Sequence, residues 1–119
     1  MKIYLCAQFK EQPLMRQWRR LLEDANHQVT SRWLGVDEVD EKSKLALDAA
    51  KVDLEDIDAA EIVLSHTLNR GDLFTGGGRH IEFGYALAKN KKLINVGGYE
   101  NVFHSKAITV PTIEEVLQH

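Results

Sequence analysis

The chain has 119 residues, a formal net charge of −3, 44% hydrophobic residues and 28% charged ones, which suits one globular domain with a real core and leaves no room for a separate substrate domain. That charge balance gives no basic surface for a nucleic-acid polymer, and the single cysteine, Cys6, excludes an internal disulfide and a multi-cysteine zinc site. The N-terminal run Lys2–Phe9 is short and strand-like, without the longer apolar stretch of a signal peptide or membrane helix, so a cytoplasmic protein with no membrane partner is expected.

Ile3-Tyr4-Leu5-Cys6-Ala7 is a short apolar run that predicts a first strand with Cys6 as a buried thiol. From Pro13 to Ala25, residues Leu14, Trp18, Leu21 and Leu22 recur at helical spacing. A second extended segment spans His27 to Trp33, and the acidic stretch Gly35 to Lys42 reads as a solvated connection. Ser43 is a candidate N-cap for a helix running to about Ile57. Ala60 to Ser65 gives the third strand, Arg79 to Asn90 the next helix, and Leu93 to Val96 a fourth strand stopped by Gly97-Gly98. Ala107 to Val110 makes a fifth strand, and Pro111 suits the first turn of a terminal helix ending at Gln118.

Strands alternating with helices predict a doubly wound, five-stranded parallel sheet covered on both faces and joined by right-handed crossovers. In such folds ligands bind outside the C-terminal ends of the strands. That edge collects Gln8 and Phe9, the loop from Ser65 to Gly78, and Gly97 to His104. Within it, Gly76-Gly77-Gly78 precedes Arg79-His80-Ile81-Glu82, so a carboxylate follows a glycine run that opens a helix. Free N–H groups and the positive end of the helix dipole make that start a cradle for ligand oxygens. The run is not a dinucleotide fingerprint, because the last glycine of G-x-G-x-x-G is missing and the run follows the third strand. Without further information Glu82 reads equally well as an early-helix dipole partner and Tyr4 as a packed strand residue, and the default for Asp53 is one acid on a solvated face beside Glu55 and Asp56.

Three segments in order resemble the nucleoside 2-deoxyribosyltransferase superfamily, which includes the 2'-deoxynucleoside 5'-monophosphate N-hydrolases. They are Lys2-Ile3-Tyr4-Leu5-Cys6-Ala7, then Asp53-Leu54-Glu55-Asp56-Ile57-Asp58-Ala59-Ala60-Glu61, then Gly78-Arg79-His80-Ile81-Glu82-Phe83-Gly84-Tyr85-Ala86-Leu87. The resemblance spans nearly the whole chain and implies a flavodoxin-like α/β fold. It also implies retaining cleavage of an N-glycosidic bond, with Glu82 as the nucleophile at C1' of a deoxyribose, Asp53 near the nucleobase and Tyr4 orienting the glutamate. An oxocarbenium-like centre next to a carboxylate can form a glycosyl-enzyme intermediate, which water or a second base then resolves.

Two departures bear on the substrate. Gly76 stands where many members carry a serine or aspartate six residues before the nucleophile, and Gln8-Phe9-Lys10-Glu11-Gln12-Pro13 replaces their small polar, glycine-rich first loop. Arg79, His80 and Lys10 are then the candidates for a replacement anion site, with Arg79 and the Gly76–Gly78 backbone expected to favour a 5'-monophosphate modestly. Asn101 and His104 follow the fourth strand, where family members place substrate contacts that reach a neighbouring subunit. The reading is therefore an enzyme acting on a small nucleoside or nucleotide, with no cofactor and no metal, as a homodimer or larger homo-oligomer. Its competitor is a nucleotide-binding or sensing module without turnover. Trp18 and Trp33 are expected to be structural, with base stacking a lesser option for Trp33.

Overall fold

A computed structural model describes residues 1–35, 44–67 and 77–118, with the backbone alone for 44–47. The expected cap Ser43, most of the acidic connection and Gly76 lie outside the described residues. Five strands form one all-parallel sheet: β1 (Lys2–Cys6), β2 (Gln28–Val29), β3 (Ile62–Thr67), β4 (Lys92–Gly97) and β5 (Ile108–Val110), in the order β2-β1-β3-β4-β5. The helices are α1 (Gln12–Asp24), α2 (Lys44–Ala59), α3 (Gly78–Ala88) and α4 (Ile113–Leu117). This is the flavodoxin-like architecture. Right-handed crossovers put α2 and α3, which pack on each other, on the face opposite α1.

The pleat decides which β1 side chains meet α3. Tyr4 and Cys6 alternate with Ile3 and Leu5, so both point to the α3 face. The Tyr4 hydroxyl duly reaches Glu82, and the Cys6 Sγ–H donates to the Arg79 carbonyl at 3.0 Å. Around them β1, β3 and β4 bury Ile3, Leu5, Val63, Leu64, Ile94 and Val96, the core on which every site residue is mounted.

The second strand is much shorter than the extended segment His27–Trp33, and side chains explain why. After Thr30 donates to the Ile3 carbonyl, the Ser31 hydroxyl takes the Leu5 N–H at 2.7 Å, and the Trp33 indole donates to the Leu5 carbonyl at 2.9 Å. Those two side chains supply what a longer β2 backbone would have supplied. The chain is released into a 3₁₀ turn at Arg32–Gly35 instead. Trp33 is buried there, with Phe9 against it at a centroid distance of 6.2 Å, so its role is structural.

Other boundaries shift for similar reasons. Because α2 continues to Ala59 and closes through Ala60 N–H to Ile57, β3 starts at Ile62 and not at Ala60. The terminal helix begins after Thr112, which leaves Pro111 ahead of its first turn. Glu11 and His66 form a buried pair tying the start of α1 to the end of β3, with the Trp18 ring edge-on to the imidazole at 5.0 Å.

Buried polar groups end β4. Ser65 donates to Asn95 at 2.8 Å, Asn95 donates to the Gly98 carbonyl at 3.0 Å, and the Thr67 hydroxyl donates to the same carbonyl. Gly97 has φ 126°, open only to glycine, and this lets the chain reverse over the strand ends. The reversal delivers Glu100, Asn101 and His104 beside the first turn of α3.

Candidate active site

Gly77 caps α3 in the left-handed conformation, φ 75°, which is the physical use of the glycine run. Gly78 and Arg79 then open the helix, and Glu82 falls beyond its first turn, where the dipole-partner reading is weak. Glu82 instead faces the sheet, half-buried, and accepts a hydrogen bond from Tyr4, which is fully buried on β1. Cys6 fixes the neighbouring turn through the Arg79 carbonyl, so two consecutive inward residues of β1 set the glutamate's position.

Asp53 lies on α2 close enough for its charge to oppose ionisation of Glu82. Its Oδ1 is buried and has no hydrogen-bond partner among the described residues, a costly condition that a bound ligand would relieve. Burial pushes Glu82 up to about 8; the Tyr4 hydrogen bond works against that and the Asp53 charge adds to it. Burial, then the charge of Asp56, raises Asp53 to about 6, eased by Arg32. Arg32 in turn holds Asp56 at 2.8 Å. Between about pH 6 and 8 the pair thus holds one proton, which rests on Glu82, so Glu82 becomes a nucleophile and Asp53 an acid once that proton passes to Asp53.

The segment after β4 is arranged differently. Glu100 accepts from Arg79 at 2.5 Å and lies 3.4 Å from His80 Nε2. His104 is buried, and its Nδ1 accepts the backbone N–H groups of Glu100 at 2.9 Å and Asn101 at 3.3 Å. Its ring stands edge-on to Phe83 at 4.9 Å. These bonds give His104 a scaffold role. Burial lowers its pKa, consistent with a neutral ring whose Nδ1 is an acceptor. The Asn101 side chain caps the 3₁₀ turn Val102–Lys106 by accepting from Phe103 N–H at 2.9 Å, while its amide nitrogen lies 3.4 Å from His80 Nδ1. Burial, then the charge of Arg79, lowers the pKa of His80. With Nδ1 turned to the Asn101 amide and Nε2 to Glu100, the network fits a neutral ring protonated on Nε2.

Of the expected site residues, Tyr4, Asp53 and Glu82 come together, and Arg79, His80 and Asn101 gather around Glu100. Gly77 and Gly78 lie at the helix mouth. Gln8 is buried with Oε1 unpartnered among the described residues, and Phe9 is exposed beside Trp33. Lys10 sits exposed in the 3₁₀ turn Phe9–Glu11. Sequence reasoning missed Glu100, the Asn95 network that aims it, and the Cys6 tether. Only the position of Glu100 just after the Gly97-Gly98 stop could have signalled it. Among the described residues no group of three histidine, cysteine or acidic side chains is placed to hold a metal ion, and no helix is long and apolar enough to cross a membrane.

No family model matches the chain, and no curated protein does either. Solved structures do. The 2-deoxyribosyltransferase of Bacillus psychrosaccharolyticus superposes with a TM-score of 0.76 at 23% identity, covering 100% of this chain and 92% of that one. The CMP N-glycosidase of Clostridium botulinum gives a TM-score of 0.63 at 17% identity, over 99% of this chain and 96% of that one. A conserved protein from Enterococcus faecalis V583 gives 0.65 at 17% identity, over 99% and 95%. What this chain shares with all three, over nearly their entire length, is the fold.

Proposed function

We propose that residues 1–119 form one domain of the nucleoside 2-deoxyribosyltransferase superfamily and that it cleaves the N-glycosidic bond of a 2'-deoxynucleoside or its 5'-monophosphate. The observation that supports this most is Glu82 held by Tyr4 beside Asp53, whose buried Oδ1 has no partner among the described residues. The fold shared with a 2-deoxyribosyltransferase and a CMP N-glycosidase agrees with it.

In this reading substrate binding moves the pair's proton from Glu82 to Asp53, and the ionised Glu82 attacks C1' as the bond to the base breaks, with the bonding electrons leaving with the base. Asp53 delivers its proton to a ring nitrogen of that base. The Tyr4 hydroxyl keeps one carboxylate lone pair occupied and the other aimed. The resulting glycosyl ester on Glu82 is opened by water, giving hydrolysis, or by the nitrogen of a second base, giving transfer, with retention at C1' in both cases.

The test is incubation with a panel of deoxynucleosides and their monophosphates, with and without an acceptor base, followed by chromatography. Release of free base, or exchange of one base for another, is expected. Saturable binding with no product would instead mark a nucleotide-binding module.

The same reading includes a homo-oligomer. Ile81, Tyr99, Val102 and Phe103 are exposed apolar side chains on α3 and the segment after β4, beside the Glu100 cluster, and a second copy of the chain would cover them.

A further inference from the structure

We infer that Glu100 is a specificity residue: its carboxylate fills the anion seat at the end of the site away from the base, and so selects an uncharged 5'-hydroxyl over a 5'-phosphate. This rests on the proposed role of Glu82, because that role fixes where the sugar lies.

The strand order supplies the direction. Helix α2, which carries Asp53, packs on β1 and on the Arg32–Gly35 turn, whereas Glu100 follows β4 on the far side of α3. With the base towards Asp53 and C1' at Glu82, the rest of the deoxyribose runs towards Arg79 and Glu100. Arg79 precedes Glu82 by three residues, so it lies on the same helix face and about 4.5 Å nearer the N-terminus. That step matches the reach from C1' to the 5' substituent.

A guanidinium and an imidazole at the start of α3 would ordinarily receive a phosphate. Here Glu100 already occupies them. The side chains of Arg79 and Glu100 are only 9% and 12% exposed, and His80 Nε2 faces the same carboxylate oxygen. Glu100 is not a loose surface acid that a ligand would push aside. Its backbone N–H is bound to buried His104, and the chain before it is pinned where Thr67 and Asn95 hold the Gly98 carbonyl. A 5'-hydroxyl can donate a hydrogen bond to this carboxylate. A 5'-phosphate, dianionic near neutral pH, meets like charge and a cation already neutralised.

The experiment compares kcat/KM for a deoxynucleoside and its 5'-monophosphate in the wild type, Glu100→Gln and the double variant Arg79→Gln/Glu100→Gln. The wild type is expected to favour the nucleoside. Glu100→Gln should move the ratio towards the monophosphate by about tenfold or more, the order expected from removing one charge a few ångströms from a phosphate. The double variant should lose that gain, because the guanidinium that captured the phosphate is gone. A wild type that prefers the monophosphate, or a ratio unchanged in Glu100→Gln because both substrates slow together, would overturn the inference. Calorimetric affinities for the same pair of ligands are measured in parallel on the wild type, which needs no variant to fold. If nothing is cleaved yet the nucleoside binds more tightly than the monophosphate, only the proposed reaction fails; tighter binding of the monophosphate rejects the role of Glu100.

Discussion

Asp53 and Glu100 are acids on either side of the same glutamate, and their surroundings are opposite. Asp53 has its Oδ1 buried without a partner among the described residues, with burial and the nearby charge of Asp56 holding it up at about 6. Glu100 is nearly as hidden, but it faces Arg79 and His80 and is anchored through its own backbone. Unsatisfied buried groups are costly in a resting protein and are kept where a ligand or a proton transfer will satisfy them. Satisfied ones shape and select. In the proposed reaction the contrast separates a reactive end from a selective end.

The largest effect expected at the reactive end is that of Glu82→Ala. Without the nucleophile, cleavage should fall by at least about 10³-fold, the scale typical of removing a covalent catalyst. Circular dichroism should show the fold intact, because the substitution removes a carboxyl group whose charge burial disfavours and takes no apolar side chain from the core. Turnover at the wild-type rate would defeat the mechanism. Next comes Asp53→Asn, which removes an acid and should slow cleavage about 10²- to 10⁴-fold. Substrates with poor leaving bases should suffer more than those with activated ones, and equal slowing of both would remove Asp53 from the leaving group.

A pH profile of kcat/KM sharpens the comparison further. Both carboxyl groups have pKa values above the usual carboxylate range, Glu82 near 8 and Asp53 near 6. The active form of the pair carries one proton, placed on Asp53 so that Glu82 can attack, which is the less populated of the two singly protonated arrangements. Activity should therefore rise through about pH 6 as the first proton leaves, and fall above about pH 8 as the second does, with both limbs belonging to the pair. In Asp53→Asn the falling limb should vanish, since no donor remains to be lost. The rising limb should also lie below pH 8, because the charge opposing ionisation of Glu82 is gone. A flat profile between pH 5 and 9 would show that the pair does not control the reaction.

The smallest effect on chemistry concerns the selective end, whose neighbours Val102 and Phe103 are exposed. Sedimentation at micromolar concentration should show a dimer or larger closed assembly. Phe103→Asp should shift it towards monomer, with activity reduced by a lesser factor than in either carboxylate variant. A monodisperse, fully active wild-type monomer would require the site to be built from one chain.

Much of the architecture was legible because it is encoded locally. Short apolar runs such as Ile3–Ala7, helical spacing at Leu14 and Trp18, and the Gly97-Gly98 stop predict the strands, helices and their order along the chain, since side-chain period and backbone freedom act over a few residues. The glycine run announced the opening of α3 for the same reason. Asp53 could be chosen among its acidic neighbours only through family resemblance, as nothing in its local spacing distinguishes it from Glu55 or Asp56.

Tertiary structure decided the rest. Tyr4 and Glu82 are 78 residues apart, and their contact depends on the register of β1 beneath α3. Ser31 and Trp33 cut β2 short by capturing the backbone of Leu5, a bond between side chain and main chain that no periodicity records. Arg79 read as an open cation in the sequence. It met Glu100 only because Gly97 reverses the chain and Asn95 and Thr67 hold it there. The sequence by itself determined which residue types stand at the edge of the sheet; the fold alone decided which carboxylate has a buried oxygen with no partner among the described residues and which meets a cation, because burial and charge pairing are properties of surroundings drawn from distant parts of the chain.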